Sequence, residues 1–170
     1  MKSDNMRFFS AMLMAGCGLH AAAQTQRPNI VFIITDDHSF QTISAYGSEV
    51  SKLAPTPNID RLAADGIQFQ SMYTTAGVSA PSRSCLITGM YPTSIGTGNM
   101  RTKVMNPKTR AMLGQPAYSA CLPADVRCFS ELMRMDGYYC TNCQKEDYQF
   151  DPPVTAWDES SPAATYRNRP

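Results

Sequence analysis

Histidine is scarce in this sequence, tryptophan occurs once, and no block of like charge appears anywhere along it. The two histidines, His20 and His38, stand far from the one close cysteine pair, the "CTNC" of Cys140 to Cys143. That pair has the spacing of a zinc or redox motif. With no second pair at ligand spacing and no histidine beside it, zinc binding and thioredoxin-like exchange are both disfavoured. Fifteen basic against fourteen acidic residues leave a net charge of +1. Without a charged run there is no electrostatic footprint for nucleic acid or an anionic membrane surface. No apolar stretch reaches the roughly 20 residues needed to span a bilayer. Internal repeats are absent, which excludes a solenoid.

What remains is the composition of a globular chain. The sequence is 43% hydrophobic and only 17% charged, which separates it from disordered chains. Its 170 residues suffice for one domain with a core and not for two of ordinary size. Twelve prolines and ten glycines imply many turns.

The first 23 residues have the pattern of an export leader. Lys2 and Arg7 form a basic start, "FFSAMLMAGCGL" a short apolar centre, and "HAAAQ" a small-residue cleavage site after Ala23. The "LMAGC" of Leu13 to Cys17 approaches a bacterial lipoprotein box, which would make Cys17 a lipid-bearing residue. Met14 stands where that box has leucine, so cleavage after Ala23 is favoured, and membrane attachment follows only if Cys17 is lipidated. Either route exports the chain to the periplasm, the cell surface or the medium. Removing Cys17 leaves Cys85, Cys121, Cys128, Cys140 and Cys143, an odd number. Export permits disulfides, and a structural bridge such as Cys128 with Cys140 is expected before metal chemistry.

The mature chain opens with "RPNIVFIITDD", whose apolar β-branched run Ile30 to Ile34 predicts a strand buried on both faces of a parallel sheet. "TPNIDRLAADG" predicts a helix capped by Thr56, started by Pro57, closed by Gly66, and burying Ile59 and Leu62. "IQFQSMYT" alternates and predicts a second strand. The loop "GVSAPSRSCLITG" then feeds a short helix beginning near Ala80, with Leu86 and Ile87 facing inward. Thr93 to Ala120 shows no periodicity. A helix from about Pro123 is expected to bury Val126, Phe129, Leu132 and Met133 and to end at Gly137, with a strand from Tyr138. Beyond Phe150 the chain is loop-like, with Trp157 as an anchor. The order predicts a doubly wound, mostly parallel α/β sheet. Only about three strands are found where such sheets carry about five or more, so the expected fold is the N-terminal piece of a larger domain.

Ligands of open α/β sheets bind beyond the carboxyl ends of the strands. Asp36 and Asp37 end the first predicted strand, and paired carboxylates there suit Ca²⁺ or Mg²⁺, unless they only cap a turn. Ser79 lies at the positive end of the next helix, where free N–H groups favour an anion. Arg83, four residues on, shares its face and offers a fork for a tetrahedral oxyanion. Helix capping by Ser79 and a solvated Arg83 is the plainer alternative.

These residues resemble a known family. "SAPSRSCLITG" is similar to the sulfatase signature, in which Cys or Ser is followed by x-Pro-Ser-Arg and then Leu-x-Thr-Gly. Ser79, Pro81, Ser82, Arg83, Leu86, Thr88 and Gly89 match it, and the flanking segments match in order over nearly the whole mature chain. The resemblance implies an alkaline-phosphatase-like α/β fold, with residues 27–170 as the N-terminal part of a sulfatase catalytic domain. It implies that Ser79 is oxidised to Cα-formylglycine by a sulfatase-maturating enzyme, and that the hydrated aldehyde is the nucleophile. A plain serine would be left as a sulfate ester, whereas a geminal diol keeps a second hydroxyl to expel sulfate. Asp36, Asp37 and the modified Ser79 would be metal ligands, normally for Ca²⁺, with Mg²⁺ as the alternative. Arg83 would steady the formylglycine, and Lys145 would contact the sulfate. Asp147 stands where the pattern Gly-Lys-x-His has its histidine.

The expected substrate is a sulfated glycan or another sulfate ester. The family's further metal ligands and catalytic His and Lys lie downstream of the matched segments, so the 170 residues alone are expected to be an inactive fragment. A phosphatase or phosphotransferase with the same sheet, using Ser79 directly, and a non-catalytic remnant are the alternatives.

Overall fold

The computed structural model describes residues 27–169. The predicted leader and Cys17 lie outside the described residues. The chain divides into two compact units, one ending at Thr35 and one beginning at Asp36.

In the first unit, the predicted strand Ile30–Ile34 is not formed. Its side chains are 42–81% exposed, and no ladder hydrogen bond pairs it among the described residues. An apolar run signals a need for neighbours on both faces. It becomes a strand only where those neighbours are supplied.

Among the described residues the second unit carries four α-helices: α1 (Pro57–Asp65), α2 (Ser79–Thr88), α3 (Pro107–Met112) and α4 (Phe129–Met135). Short 3₁₀ turns cover Phe40–Thr42, Ser44–Tyr46, Val50–Lys52 and Tyr166–Asn168. Two strands, β1 (Thr141–Asn142) and β2 (Glu159–Ser160), pair in parallel with Thr141 opposite Glu159 and Asn142 opposite Ser160. One more parallel bridge joins Ala120 to Phe150. Helices around a small parallel sheet are an incomplete α/β arrangement, as expected. The predicted strand at "IQFQSMYT" is absent, and Ile67, Met72 and Tyr73 are 72–87% exposed. The strand expected from Tyr138 begins only at Thr141.

α1 starts and stops where Pro57 and Gly66 predict, but its expected apolar stripe is not buried: Leu62 is 60% exposed. Polar contacts hold it instead. Asp60 accepts from the Ser44 hydroxyl at 2.5 Å, the Ala45 N–H at 2.8 Å and the Thr56 hydroxyl at 3.0 Å. The Ser44 hydroxyl, followed by Thr56 and Ala45, holds the Asp60 carboxyl below its usual range despite opposing desolvation.

α2 is the best-seated helix. Ala80, Ser84 and Ile87 fall on one face by helical spacing and are each at most 3% exposed, while Leu86 points outward. Ile87 joins Ala120, Cys128, Tyr148, Phe150 and Ala156 in the core, with Tyr118, Leu122 and Trp157 packed against it. Trp157 meets Phe129 edge to face at 6.2 Å, which fits its expected role as an anchor. The buried Ser84 hydroxyl is satisfied by Thr97, also fully buried, at 2.7 Å. α2 ends at Gly89, whose φ of 69° lets its N–H close on the Cys85 carbonyl at 2.8 Å. A Cβ there would meet no atom within 4 Å, so Gly89→Ala costs backbone strain alone, about 1 kcal/mol. A lowered urea midpoint with an unchanged slope is the expected result; an unchanged midpoint would refute it.

α4 is shorter than predicted and turned differently. It begins at Phe129, buries Ser130 and Glu131, and leaves Leu132 53% exposed. Its cap is Cys128: the Cys128 carbonyl accepts the Glu131 N–H at 3.0 Å, and the Glu131 carboxylate accepts the Cys128 N–H at 2.9 Å. α3 was not expected from the aperiodic stretch. Asn106 caps it through the Lys108 N–H at 2.9 Å, with Pro107 in the first turn.

Candidate active site

Ser79 is the first residue of α2, one position inside the predicted boundary. Val78 is the cap and contributes no side-chain hydrogen bond. With Pro81 lacking an N–H, the amides of Ser79 and Ala80 remain at the open, positive end of the helix. Arg83, one turn on, is only 7% exposed, and its Nε donates to Ser79 Oγ at 3.2 Å. The i, i+4 relation therefore produces a contact, and Arg83 is not solvated.

Two distant segments complete the cluster. Asp36 Oδ1 lies 3.6 Å from the Arg83 guanidinium, and Asp36 Oδ2 accepts from the Lys145 ammonium. The Lys145 ammonium, followed by the Ser79 hydroxyl, holds the Asp36 carboxyl below its usual range, against a smaller opposing effect of desolvation. Asp36 and Lys145 are half exposed while Arg83 is covered, so the cluster opens to solvent on the Asp36–Lys145 side. Four of the five predicted site residues thus converge from three stretches of chain: a hydroxyl at a helix N-terminus, two cations and a carboxylate. Such a set can bind a tetrahedral oxyanion beside a potential nucleophile.

Asp37 is the fifth. It follows Asp36 in a left-handed conformation, φ 49°, and is exposed. Asp36 and Asp37 offer hard carboxylate oxygens of the kind Ca²⁺ and Mg²⁺ take, so the donor chemistry fits. They are short in number, because two carboxylates fill at most about four of the six to eight positions around Ca²⁺. No group of three or more His, Cys, Asp or Glu side chains comes together among the described residues.

Asp147 is not in the cluster; its carboxylate lies 2.9 Å from Arg101. Arg101 comes from the stretch Thr93 to Ala120 that shows no periodicity, and nothing in the sequence marked it or the buried Gln149. A cavity of about 430 Å³ lies elsewhere, lined by residues that include Cys121, Leu122 and Phe150 and by none of the four clustered groups.

The expected Cys128–Cys140 disulfide is not formed, and the five described cysteines are free thiols. Cys128 is committed to capping α4, and burial followed by the Glu131 charge pushes its pKa up to about 12. The Cys140 thiol instead donates to the Ser130 carbonyl at 3.7 Å, and burial raises its pKa as well.

The family model described as Sulfatase matches residues 28–167. The ulvan-active sulfatase of Formosa agariphila is 47% identical over 144 residues, which cover 85% of this chain and 23% of that protein. The N-acetylglucosamine-6-O-sulfatase of Bacteroides thetaiotaomicron is 35% identical over 147 residues, covering 84% and 26%. A solved structure from the same organism, described in connection with metabolism of multiple glycosaminoglycans, superimposes with a TM-score of 0.56 at 29% identity, over 73% of this chain and 22% of that one. The yidJ protein of Bacteroides fragilis, named as a sulfatase, gives 0.53 at 30% identity, over 88% and 28%. The chain belongs to the sulfatase family. It spans about a quarter of the length of the curated relatives it matches.

Proposed function

We propose that this chain carries the nucleophile-bearing part of an exported sulfatase that hydrolyses sulfate esters of glycans. The observation that carries the reading is the convergence of Ser79, Arg83, Asp36 and Lys145. The glycan substrate class is supported by relatives named for ulvan and for amino-sugar sulfates.

In this reading Ser79 is the residue that a sulfatase-maturating enzyme converts to Cα-formylglycine. The hydrated aldehyde supplies one hydroxyl to attack sulfur and a second to release sulfate. Arg83, already donating to Ser79 Oγ, orients the oxygen at that position. Being covered, its charge is less screened than one in open water. Lys145 reaches the open side of the cluster and can bind a sulfate oxygen. The Asp36 carboxylate, its pKa lowered, is ionised at neutral pH and accepts a hydrogen bond from the Lys145 ammonium. Asp36 and Asp37 would hold part of a divalent-cation site, Ca²⁺ with Mg²⁺ as the alternative, and the ion would offset charge on the transferred group.

Two measurements test this. After co-production with a maturating enzyme, the peptide containing Ser79 is expected to be lighter by two hydrogens. A full-length sulfatase carrying this chain is then expected to hydrolyse an aryl sulfate in preference to an aryl phosphate. Unmodified Ser79 together with phosphate-ester hydrolysis would replace the reading with a phosphatase that uses the serine hydroxyl directly.

A further inference from the structure

The loop that presents Lys145 has little regular structure to hold it. β1 ends at Asn142, and Gln144 already has a φ of 79°. Just beyond Lys145, Tyr148 and Phe150 are seated in the core and Phe150 bridges Ala120, while the polar side chains of the stretch meet residues 99–103. Asp147 approaches the Arg101 guanidinium at 2.9 Å. Gln149, fully buried and with a φ of 69°, accepts the Arg101 N–H through its side-chain carbonyl at 3.0 Å. Its amide donates to the Asn99 carbonyl at 2.6 Å. Lys103 pairs with Asp151, which Arg101 also approaches at 3.9 Å. Arg101 therefore touches three side chains of the 147–151 stretch, two through its guanidinium and one through its backbone.

The chemistry of the contact separates positioning from stability. Arg101 is largely covered, its side chain 15% exposed. Yet Asp147 Oδ1 and Arg101 Nε are both buried without a hydrogen bond, so the pair is close but not aligned. A partly desolvated ion pair with unmet hydrogen-bonding capacity is a poor source of net stability, and its best-attested use is to fix one arrangement among several. Asp147 is also two residues from Lys145, so fixing one restrains the other. We infer that Arg101 is a positioning residue that, through Asp147 and Gln149, holds the Lys145 loop so that its ammonium meets Asp36. The functional meaning of this clamp rests on the sulfate-binding role proposed for Lys145; the clamp itself does not.

Amine accessibility reads the clamp directly on the 170-residue protein, with no need for turnover. A trace of acetic anhydride acylates lysines in competition, and mass spectrometry compares Lys145 with Lys52 and Lys108. An amine engaged by a carboxylate reacts more slowly than a free one. Asp36→Asn, which removes the partner, sets the response of a released Lys145. Arg101→Ala is expected to raise Lys145 labelling about threefold relative to Lys52 and Lys108, by opening the loop locally. Exchanging the charges, Arg101→Asp with Asp147→Arg, is expected to return it toward the wild-type ratio, which a merely structural loss would not do. Unchanged Lys145 labelling in Arg101→Ala, beside a clear rise in Asp36→Asn, would overturn the inference. If Arg101→Ala unfolds, all three lysines rise together. Asp147→Asn, which keeps shape and volume, then decides: a rise confined to Lys145 supports the clamp, and no rise overturns it. Absence of the aldehyde at Ser79 would defeat the sulfatase reading while leaving these ratios unaffected.

Discussion

In a matured full-length sulfatase carrying this chain, Ser79→Ala is expected to abolish hydrolysis of an aryl sulfate, with a loss of at least about a thousandfold in kcat/KM. Alanine has no oxygen to oxidise, so neither the aldehyde nor its two hydroxyls can form. Arg83 would lose the acceptor it now meets at 3.2 Å, a cost of about 1 kcal/mol, but α2 would lose no cap, because Ser79 does not cap it. The activity loss should therefore far exceed the small fall in the urea midpoint, and a stability loss large enough to account for it would point to an ordinary structural role. Ser79→Cys makes the sharper comparison. The family signature accepts either residue, so a host able to mature the cysteine form should restore the aldehyde and the activity. A hydroxyl nucleophile that never becomes an aldehyde predicts no dependence on maturation. Arg83→Lys completes the series: it keeps the charge but gives up the fork and the Nε donor, and a loss of roughly a hundredfold is expected.

The parts of this site that could be read from the sequence are those set by short spacing. Ser79 and Arg83 are one helical turn apart, and that spacing alone brings Nε to Oγ. Pro57, Gly66 and Gly89 mark helix ends through backbone restrictions that hold in any context. Asp36 and Lys145 are 109 residues apart, and no local rule relates them; only the family resemblance assigned Lys145 a place near the sulfate. The expectations fail where an apolar pattern does not bring burial. Ile30–Ile34 and "IQFQSMYT" have strand patterns, yet neither has a ladder partner among the described residues. Leu62 and Leu132 repeat at helical spacing yet face outward, because α1 is held by Asp60 and α4 by Glu131. α3 was legible in principle, since Asn106 before Pro107 is a cap followed by a first-turn proline. Cys128 was harder, because a thiol is not among the residues expected to cap a helix.

Glu131→Ala is expected to destabilise the fold by roughly 2–3 kcal/mol, the largest stability change among the substitutions considered. The carboxylate is 8% exposed and accepts from the Cys128 N–H at 2.9 Å and the Thr155 hydroxyl at 2.5 Å. Truncation leaves the Cys128 N–H buried without a partner and removes the acceptor of the Thr155 hydroxyl, each costing about 1 kcal/mol or more. In urea the midpoint should fall by about 1–2 M. Glu131→Gln keeps one acceptor oxygen and should lose less. Acid separates the two variants further. Burial pushes the Glu131 pKa up, but the Thr155 hydroxyl, the Cys128 N–H and the Arg127 and Arg134 charges outweigh it, and the net shift is downward. A carboxylate with a lowered folded pKa favours folding above its unfolded value, about 4.3, and loses that contribution as pH falls through the folded value. The stability gap between wild type and Glu131→Gln should therefore be full at pH 7 and close as the pH drops below about 4. A gap independent of pH would show that the charge does not matter at this position. The effect should also reach the site, because Cys128 packs in the same core cluster as Ile87, on the helix that begins with Ser79 and carries Arg83. Loosening the start of α4 removes support from the buried face of α2, so Glu131→Ala should lower sulfatase activity through temperature sensitivity, with activity recovering on cooling.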